Sequence, residues 1–143
     1  MKRIVITTAI AAMLAVTAAP AMAAGVWVNQ WGFGNAAGGN QAGWNNSLGI
    51  SQTGNWNSAV GHQSGHNNVG AIGQQGNNNY GDTWQHGNNN AAGVGQFGDN
   101  HTAILTQDGN GNVAAGVQVG NGCSANVAQA GAGNVTAFVQ ACP

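Results

Sequence analysis

Glutamine recurs every eleven residues along most of this chain. Eleven glutamines keep that spacing without a break, and Gln75 alone lies off it. A fixed short period indicates that one small unit is stacked on copies of itself. The periodic residues are Gln30, Gln41, Gln52, Gln63, Gln74, Gln85, Gln96, Gln107, Gln118, Gln129 and Gln140. The repeating unit therefore has to be interpreted before any single side chain.

The start of the chain has the pattern of an export signal. Basic residues precede an apolar run, and residues 21–23 match the small-x-small pattern that a signal peptidase cuts. We therefore expect residues 1–23 to be a signal peptide cleaved after Ala23, and residues 24–143 to form one secreted repeat domain. The apolar run is too short for a retained transmembrane helix, so membrane insertion is not expected.

The predicted mature chain is poor in charge. Both basic residues lie in the signal peptide, so Asp82, Asp99 and Asp108 leave a formal charge of −3 with neutral histidine. Binding to nucleic acid or to anionic lipid needs clustered Lys or Arg side chains. We therefore expect neither nucleic acid nor a membrane as a partner.

Aligned on the glutamine, the unit is Gln-x-Gly-x-x-Asn-x-Ala-x-x-x. The Asn, the Ala, a variable position and the next Gln lie two residues apart, which places them on one face of a β-strand. Because eleven is odd, the Gly-x-x-Asn segment is expected to turn the chain after a strand of about seven residues. The asparagines are Asn35, Asn46, Asn57, Asn68, Asn79, Asn90, Asn112 and Asn134, with His101 and Cys123 in the two remaining copies.

The column two residues before each glutamine shows how many strands complete one coil. Alternate copies separate into Val28, Ile50, Ile72, Val94, Gly116 and Phe138 against Gly39, Gly61, Thr83, Leu105 and Val127. The pattern predicts an all-β, cross-β amyloid solenoid of about eleven strand-turn units, with two strands in each 22-residue rung. Buried amides are tolerated when each bonds its copies in neighbouring rungs. The Gln and Asn columns are therefore predicted to form a self-assembly ladder.

The repeat resembles that of curlin, the subunit family of bacterial curli fibres, over essentially the whole mature chain. The resemblance implies a structural subunit of an extracellular, cell-surface amyloid fimbrium that polymerises end to end and supports cell adhesion and biofilm formation. It also implies three partners: further copies of the chain, a curli-type secretion pore and a nucleator subunit. The chain itself is then either a major subunit or a minor nucleator.

The two cysteines allow three interpretations: an intramolecular disulfide, free thiols or intermolecular disulfides. Cys123 and Cys142 lie near one another across a turn of the predicted rung, and export permits oxidation. A disulfide between them would stabilise the folded chain by about 3 kcal/mol in the chain-entropy model, and it would hold the last half rung in place. Free thiols and intermolecular pairing are the alternatives.

The histidines do not indicate a metal site, because no two of them share a 22-residue column. They are His62, His66, His86 and His101, and the last of these replaces a ladder asparagine. No nucleophile, base and orienting acid recur at catalytic spacing, so we expect neither a cofactor nor enzyme activity.

Two other features leave alternatives open. The aromatic residues of the first third form either a contact patch or a stack outside a rung whose core position is only Gly39; they are Trp27, Trp31, Phe33, Trp44 and Trp56. An ice-binding or surface-binding solenoid is a second reading of the repeat. It would need a flat array of threonine, whereas the threonines here occupy scattered columns.

Overall fold

The computed structural model describes residues 25–143, and the predicted signal peptide lies outside the described residues. All regular elements in this range are β-strands. In chain order they are β1 (Gly25–Phe33), β2 (Ala36–Trp44), β3 (Ser47–Asn55), β4 (Ser58–His66), β5 (Val69–Asn77), β6 (Tyr80–Asn88), β7 (Ala91–Asp99), β8 (Thr102–Asn110), β9 (Val113–Asn121), β10 (Ser124–Ala132) and β11 (Val135–Ala141). Within this part of the chain there is no helix of the length and apolarity needed to cross a bilayer.

The strands are longer than the sequence predicts. A typical strand such as β6 has nine residues instead of about seven, and two residues separate it from the next. The glycine that was expected in the turn lies inside the strand, as Gly87 does with φ 110°, and Asn89 turns the corner with φ 57°. Gly87 still pairs in register with Gly109 of the neighbouring rung. The backbone therefore bends at the glycine without leaving the sheet.

The strands form two parallel sheets. Sheet A has six strands in the order β1-β3-β5-β7-β9-β11, and sheet B has five in the order β10-β8-β6-β4-β2. Each residue pairs with the residue 22 positions further on, as Gln52 does with Gln74. The predicted β-solenoid with two strands per 22-residue rung is confirmed.

The core is a thin layer in which a large side chain on one sheet fills the space left by glycine on the other. Leu48, Ile50, Ile72 and Leu105 are fully buried. A Cβ atom added to Gly39 or to Gly61 would overlap the methyl groups of Leu48. The rung whose own core position is Gly39 is thus filled from the opposite sheet.

Candidate functional site: amide ladders and open sheet edges

The periodic glutamines are stacked in two columns inside the solenoid. In each column the Nε2 atom donates to the Oε1 atom of the glutamine one rung further on. The two columns together contain nine such bonds of 2.6 to 3.0 Å, five along sheet A and four along sheet B. The seven inner glutamines from Gln52 to Gln118 are buried, as is Gln129. Off-period Gln75 is exposed on the outer face of sheet A.

Each inner glutamine also closes a corner between the sheets. The second N–H of its amide donates to a backbone carbonyl sixteen residues earlier, as Gln74 Nε2 does to Ser58 O at 2.9 Å. One amide therefore links its rung both to the next rung and to the opposite sheet. Without these hydrogen bonds the buried amide would be unpaired, which would lower the stability of the fold by about 1–3 kcal/mol.

The asparagine column forms a second ladder at the turns. Nδ2 of each inner asparagine donates to a glycine carbonyl nineteen residues further on, as Asn79 does to Gly98 O at 2.8 Å. Its Oδ1 accepts the backbone N–H of the next member of the column, as Asn57 Oδ1 does from Asn79 N at 3.1 Å. The same donor contact holds Asn35, Asn46, Asn57, Asn68, Asn90 and Asn112, whereas Asn134 donates to Asn112 Oδ1 and to Ala130 O.

His101 occupies an asparagine position of this ladder and keeps the backbone N–H bonds of the column. Its Nε2 faces a carbonyl four residues earlier instead of the glycine carbonyl nineteen residues further on. The side chain is fully buried. Its backbone N–H donates to Asn79 Oδ1 at 3.0 Å, and its Nδ1 lies 3.1 Å from the backbone nitrogen of Cys123, which donates to it. Nε2 lies 3.2 Å from the carbonyl oxygen of Phe97. This geometry requires the neutral tautomer with its proton on Nε2.

A third ladder, which was not predicted above, runs along the outer edge of the turns. The backbone N–H of Asn55 donates to Asn77 Oδ1 at 3.2 Å, and the backbone N–H of Asn77 donates to Asp99 Oδ1 at 2.7 Å. On sheet B, Asn88 bonds Asn110 in the same way. The signal in the sequence is a column of Asn and Asp three residues after the periodic glutamine. Asp99 therefore serves as a hydrogen-bond acceptor in this ladder.

Cys123 and Cys142 are joined by a disulfide, with 5.6 Å between their Cα atoms. Cys123 is buried in the asparagine column, where its sulfur replaces an amide. Cys142 lies beyond β11, next to Gly120 of the preceding rung. The covalent bond thus ties the end of the described chain to the rung beneath it.

The ionisable side chains cluster on the outer face of sheet B. His86 Nδ1 lies 2.9 Å from Asp108 Oδ1 in an exposed pair, for which solvent screening leaves little net stabilisation. The hydroxyl group of Tyr80 donates to Asp82 Oδ2 at 3.4 Å. Partial burial raises the pKa of Tyr80, and the charge of Asp82 and this hydrogen bond raise it further. Among the described residues, no group of three or more metal-ligating side chains is present.

The early aromatic residues are all exposed and lie on the outside of the solenoid. Phe33 and Trp56 contact edge to face, with ring centroids 5.6 Å apart. On the outer face of sheet B, the rings of His62 and Trp84 are 5.0 Å apart. The other aromatic residues of the first third are Trp27, Trp31 and Trp44, which remain more than half exposed. Of these five residues, one pair, Phe33 and Trp56, therefore stacks on the outside of the solenoid.

Both ends of the described solenoid are open strand edges. β1 and β2 form one end, and β10 and β11 form the other. Parallel in-register rungs with buried amide ladders and unpaired end strands define a cross-β solenoid of the amyloid type. Residues 76–109 match the family model of the curlin associated repeat. The eleven-residue spacing continues on both sides of that match, and the match supports the resemblance of the chain to the curlin family.

The matched repeat indicates the general character of the protein. Curlin repeats are structural elements of self-polymerising, extracellular curli fibres, and neither the family nor the solenoid fold is enzymatic. No curated protein and no solved structure matches the chain.

Proposed function

We propose that this chain is the secreted major subunit of a curli-type fibre and that it polymerises end to end through its open strand edges. The observation that carries the proposal is the continuity of the ladders up to both ends of the described solenoid. An end strand presents unpaired N–H and C=O groups that template pairing with another copy. The end strands contain no proline and no lysine to block this pairing.

The interior of the solenoid indicates what a joined end would gain. Each inner rung buries two glutamine amides, and every such amide needs a partner above and below it. A second copy of the chain supplies these partners with the same spacing, because the register is identical in every rung. Elongation therefore repeats the contacts already present inside one molecule.

Several parts of the proposal go beyond the fold. The predicted signal peptide, a secretion pore and a nucleator would place the subunit on the cell surface, where the fibre supports adhesion and biofilm formation. Cationic terminal repeats are absent from residues 25–143, which favours a major subunit over a nucleator. The proposed role is structural and involves no catalysis and no cofactor.

The first test follows fibre growth of the chain lacking residues 1–23. Thioflavin T fluorescence is measured with and without fragmented fibres of the same chain as seeds. A lag phase that seeds abolish is expected for a major subunit. Immediate unseeded assembly would instead assign the chain to nucleation, and a chain that stays monomeric under all conditions would contradict the proposal.

A matched pair of variants tests the role of the open edge. Val28→Lys puts a charge on the inward face of end strand β1, whereas Asn29→Lys puts the same charge on its outward face. An inward charge at an edge opposes strand addition because docking would bury it unpaired. We expect Val28→Lys to stop seeded elongation and Asn29→Lys to retain it. Equal elongation rates would argue against growth through β1.

A further inference from the structure

The two ends of the solenoid differ from the inner rungs in their unpaired amide atoms. At one end, Gln41 Oε1 is buried and has no hydrogen-bond partner. At the other end, Gln140 Nε2 donates to the carbonyl oxygen of Ser124 but to no further glutamine. Gln129 Nε2 donates to the hydroxyl of Thr136 at 3.0 Å in place of a glutamine one rung on. One end therefore has acceptors and the other has donors.

The unequal sheets decide how two copies of residues 25–143 can satisfy these atoms. The last strand, β11, belongs to the six-stranded sheet, and the end strand of the five-stranded sheet is β10. If the next copy were added without rotation, its β1 would lie on β11. Its β2 would then be separated from β10 by one empty strand position of about 4.8 Å. Gln129 and Gln41 would both remain without a ladder partner.

We propose that successive copies in the fibre are related by half a turn about the fibre axis. This inference rests on the proposed function. In this arrangement β1 of the incoming copy pairs with β10, and its β2 pairs with β11. Gln140 then donates to the buried Oε1 of Gln41, and Gln129 donates to Gln30. Both glutamine columns continue across the junction with no missing strand.

The apolar side chains at the two ends fit the same arrangement. The ring of Phe138 in β11 occupies the space in front of Gly116 of its own sheet, where a Cβ atom would overlap it. The half-turn places Gly39 of the incoming copy on Phe138, whereas direct stacking would place Val28 there. Val28, which is 45% exposed at the free end, pairs instead with the partly buried Val127.

A consequence of the half-turn is that each side of the fibre alternates between sheet A and sheet B. The unrotated alternative would keep sheet A on one side throughout. The two arrangements thus bring different outward residues into register across the junction. Asn29, Asn40, Ala128 and Val139 each precede a periodic glutamine by one position and are therefore level with one another on their strands.

Cross-linking between two variants that each carry one added cysteine distinguishes the arrangements. Adjacent in-register residues of parallel strands lie about 5 Å apart, which is within the Cα separation of a disulfide. Equimolar mixtures of Asn29→Cys with Ala128→Cys, of Asn40→Cys with Val139→Cys, and of Asn29→Cys with Val139→Cys are polymerised on seeds and oxidised. The fibres are then dissolved, and dimers are separated on a non-reducing gel.

We expect covalent dimers from the first two mixtures and only the background of the unmixed variants from the third. A dimer from the third mixture would overturn the half-turn. The absence of dimers from all three mixtures, when electron microscopy shows that fibres have formed, would overturn it as well. Failure of every variant and of the parent chain to form fibres would instead overturn the proposed function on which the half-turn rests. The native cysteines are already bonded to each other, so they do not compete for the new thiols.

Discussion

At the scale of single residues, this interior depends on amides that are satisfied twice. A buried glutamine is unfavourable in isolation because its amide loses hydrogen bonds to water. Here each inner glutamine bonds both a glutamine of the next rung and a backbone carbonyl of the opposite sheet. Removing one such side chain therefore leaves several groups unpaired at once.

The glutamine columns can be tested by alanine substitution. Replacing Gln52 or Gln74 with Ala should slow seeded growth strongly and lower the free energy of unfolding by about 2–4 kcal/mol, from unpaired amide groups and lost packing. Gln75→Ala is the matched control because its side chain is exposed, and it should change little. Thioflavin T kinetics and denaturant unfolding measure both effects. Equal effects at all three positions would remove the ladder as an explanation.

Substitutions of His101 test whether this position of the asparagine ladder requires hydrogen-bonding groups or only a side chain of similar volume. His101→Asn should keep fibre growth and stability close to those of the parent chain, because an amide supplies the same acceptor and donor. His101→Leu fills the space but leaves the N–H of Cys123 and the carbonyl of Phe97 unpaired, and should cost about 1–3 kcal/mol. Chemical denaturation of both variants measures the difference. A leucine variant as stable as the asparagine variant would show that volume decides.

At the scale of the strand, the fold depends on where the backbone bends. Gly87 has a positive φ angle, and its Cα faces the carbonyl oxygen of Gly109 in the next rung. A side chain at this place is excluded both by backbone conformation and by close approach of the rungs. Gly93 lies on the outer face of sheet A, where an added Cβ atom would meet nothing within 4 Å.

These two glycines form a matched pair for mutation. Gly87→Ala should cost more than about 2 kcal/mol and delay fibre growth, because the strained φ angle and the overlap with Gly109 act together. Gly93→Ala should stay within about 0.5 kcal/mol, as expected for a surface substitution. Thermal unfolding of soluble monomer and seeded growth rates measure the two effects. Similar losses in the two variants would contradict this account of the bend.

Most of this architecture can be predicted from the sequence, because the same eleven-residue pattern determines the structure of every rung. Residue spacing alone indicates the inward face, the 22-residue rung and the ladder columns. It does not place the strand ends, because Gly87 bends the backbone without breaking the sheet pairing, and pairing cannot be read from composition. It also does not show that Leu48 fills the space beside Gly39, because that contact joins different columns of opposite sheets.

At the scale of the whole molecule, the charges lie unevenly on the solenoid. Asp82 and Asp108 lie on the outer face of sheet B, whereas Asp99 is held in the outer ladder of sheet A. Part of the outer face of sheet A has apolar and small side chains, such as Ala71, Ala115 and Val117. Charge repulsion should therefore oppose lateral packing of two filaments mainly where their contact surfaces are outer faces of sheet B.

The aspartates are expected to restrain assembly and bundling. Adding salt at neutral pH should speed both in the parent chain, because it shortens the range of repulsion between like charges. A variant with Asp82, Asp99 and Asp108 all replaced by Asn should assemble faster in low salt and lose the salt response. Asn at position 99 still offers an acceptor to Asn77, so the outer ladder is retained. Turbidity and thioflavin T kinetics over a salt series measure the response, and a triple variant with an unchanged salt response would show that these acids are not responsible.

The covalent path of the coil has a mechanical consequence. Within one molecule the backbone crosses from every rung to the next, and the Cys123–Cys142 bond secures the final half rung. Between molecules only hydrogen bonds and side-chain contacts cross the junction. A fibre under tension should therefore rupture between subunits and leave each coil intact. Every rupture then produces two fresh ends with complete strand edges, so that shear would multiply the number of growing fibres without unfolding a single subunit.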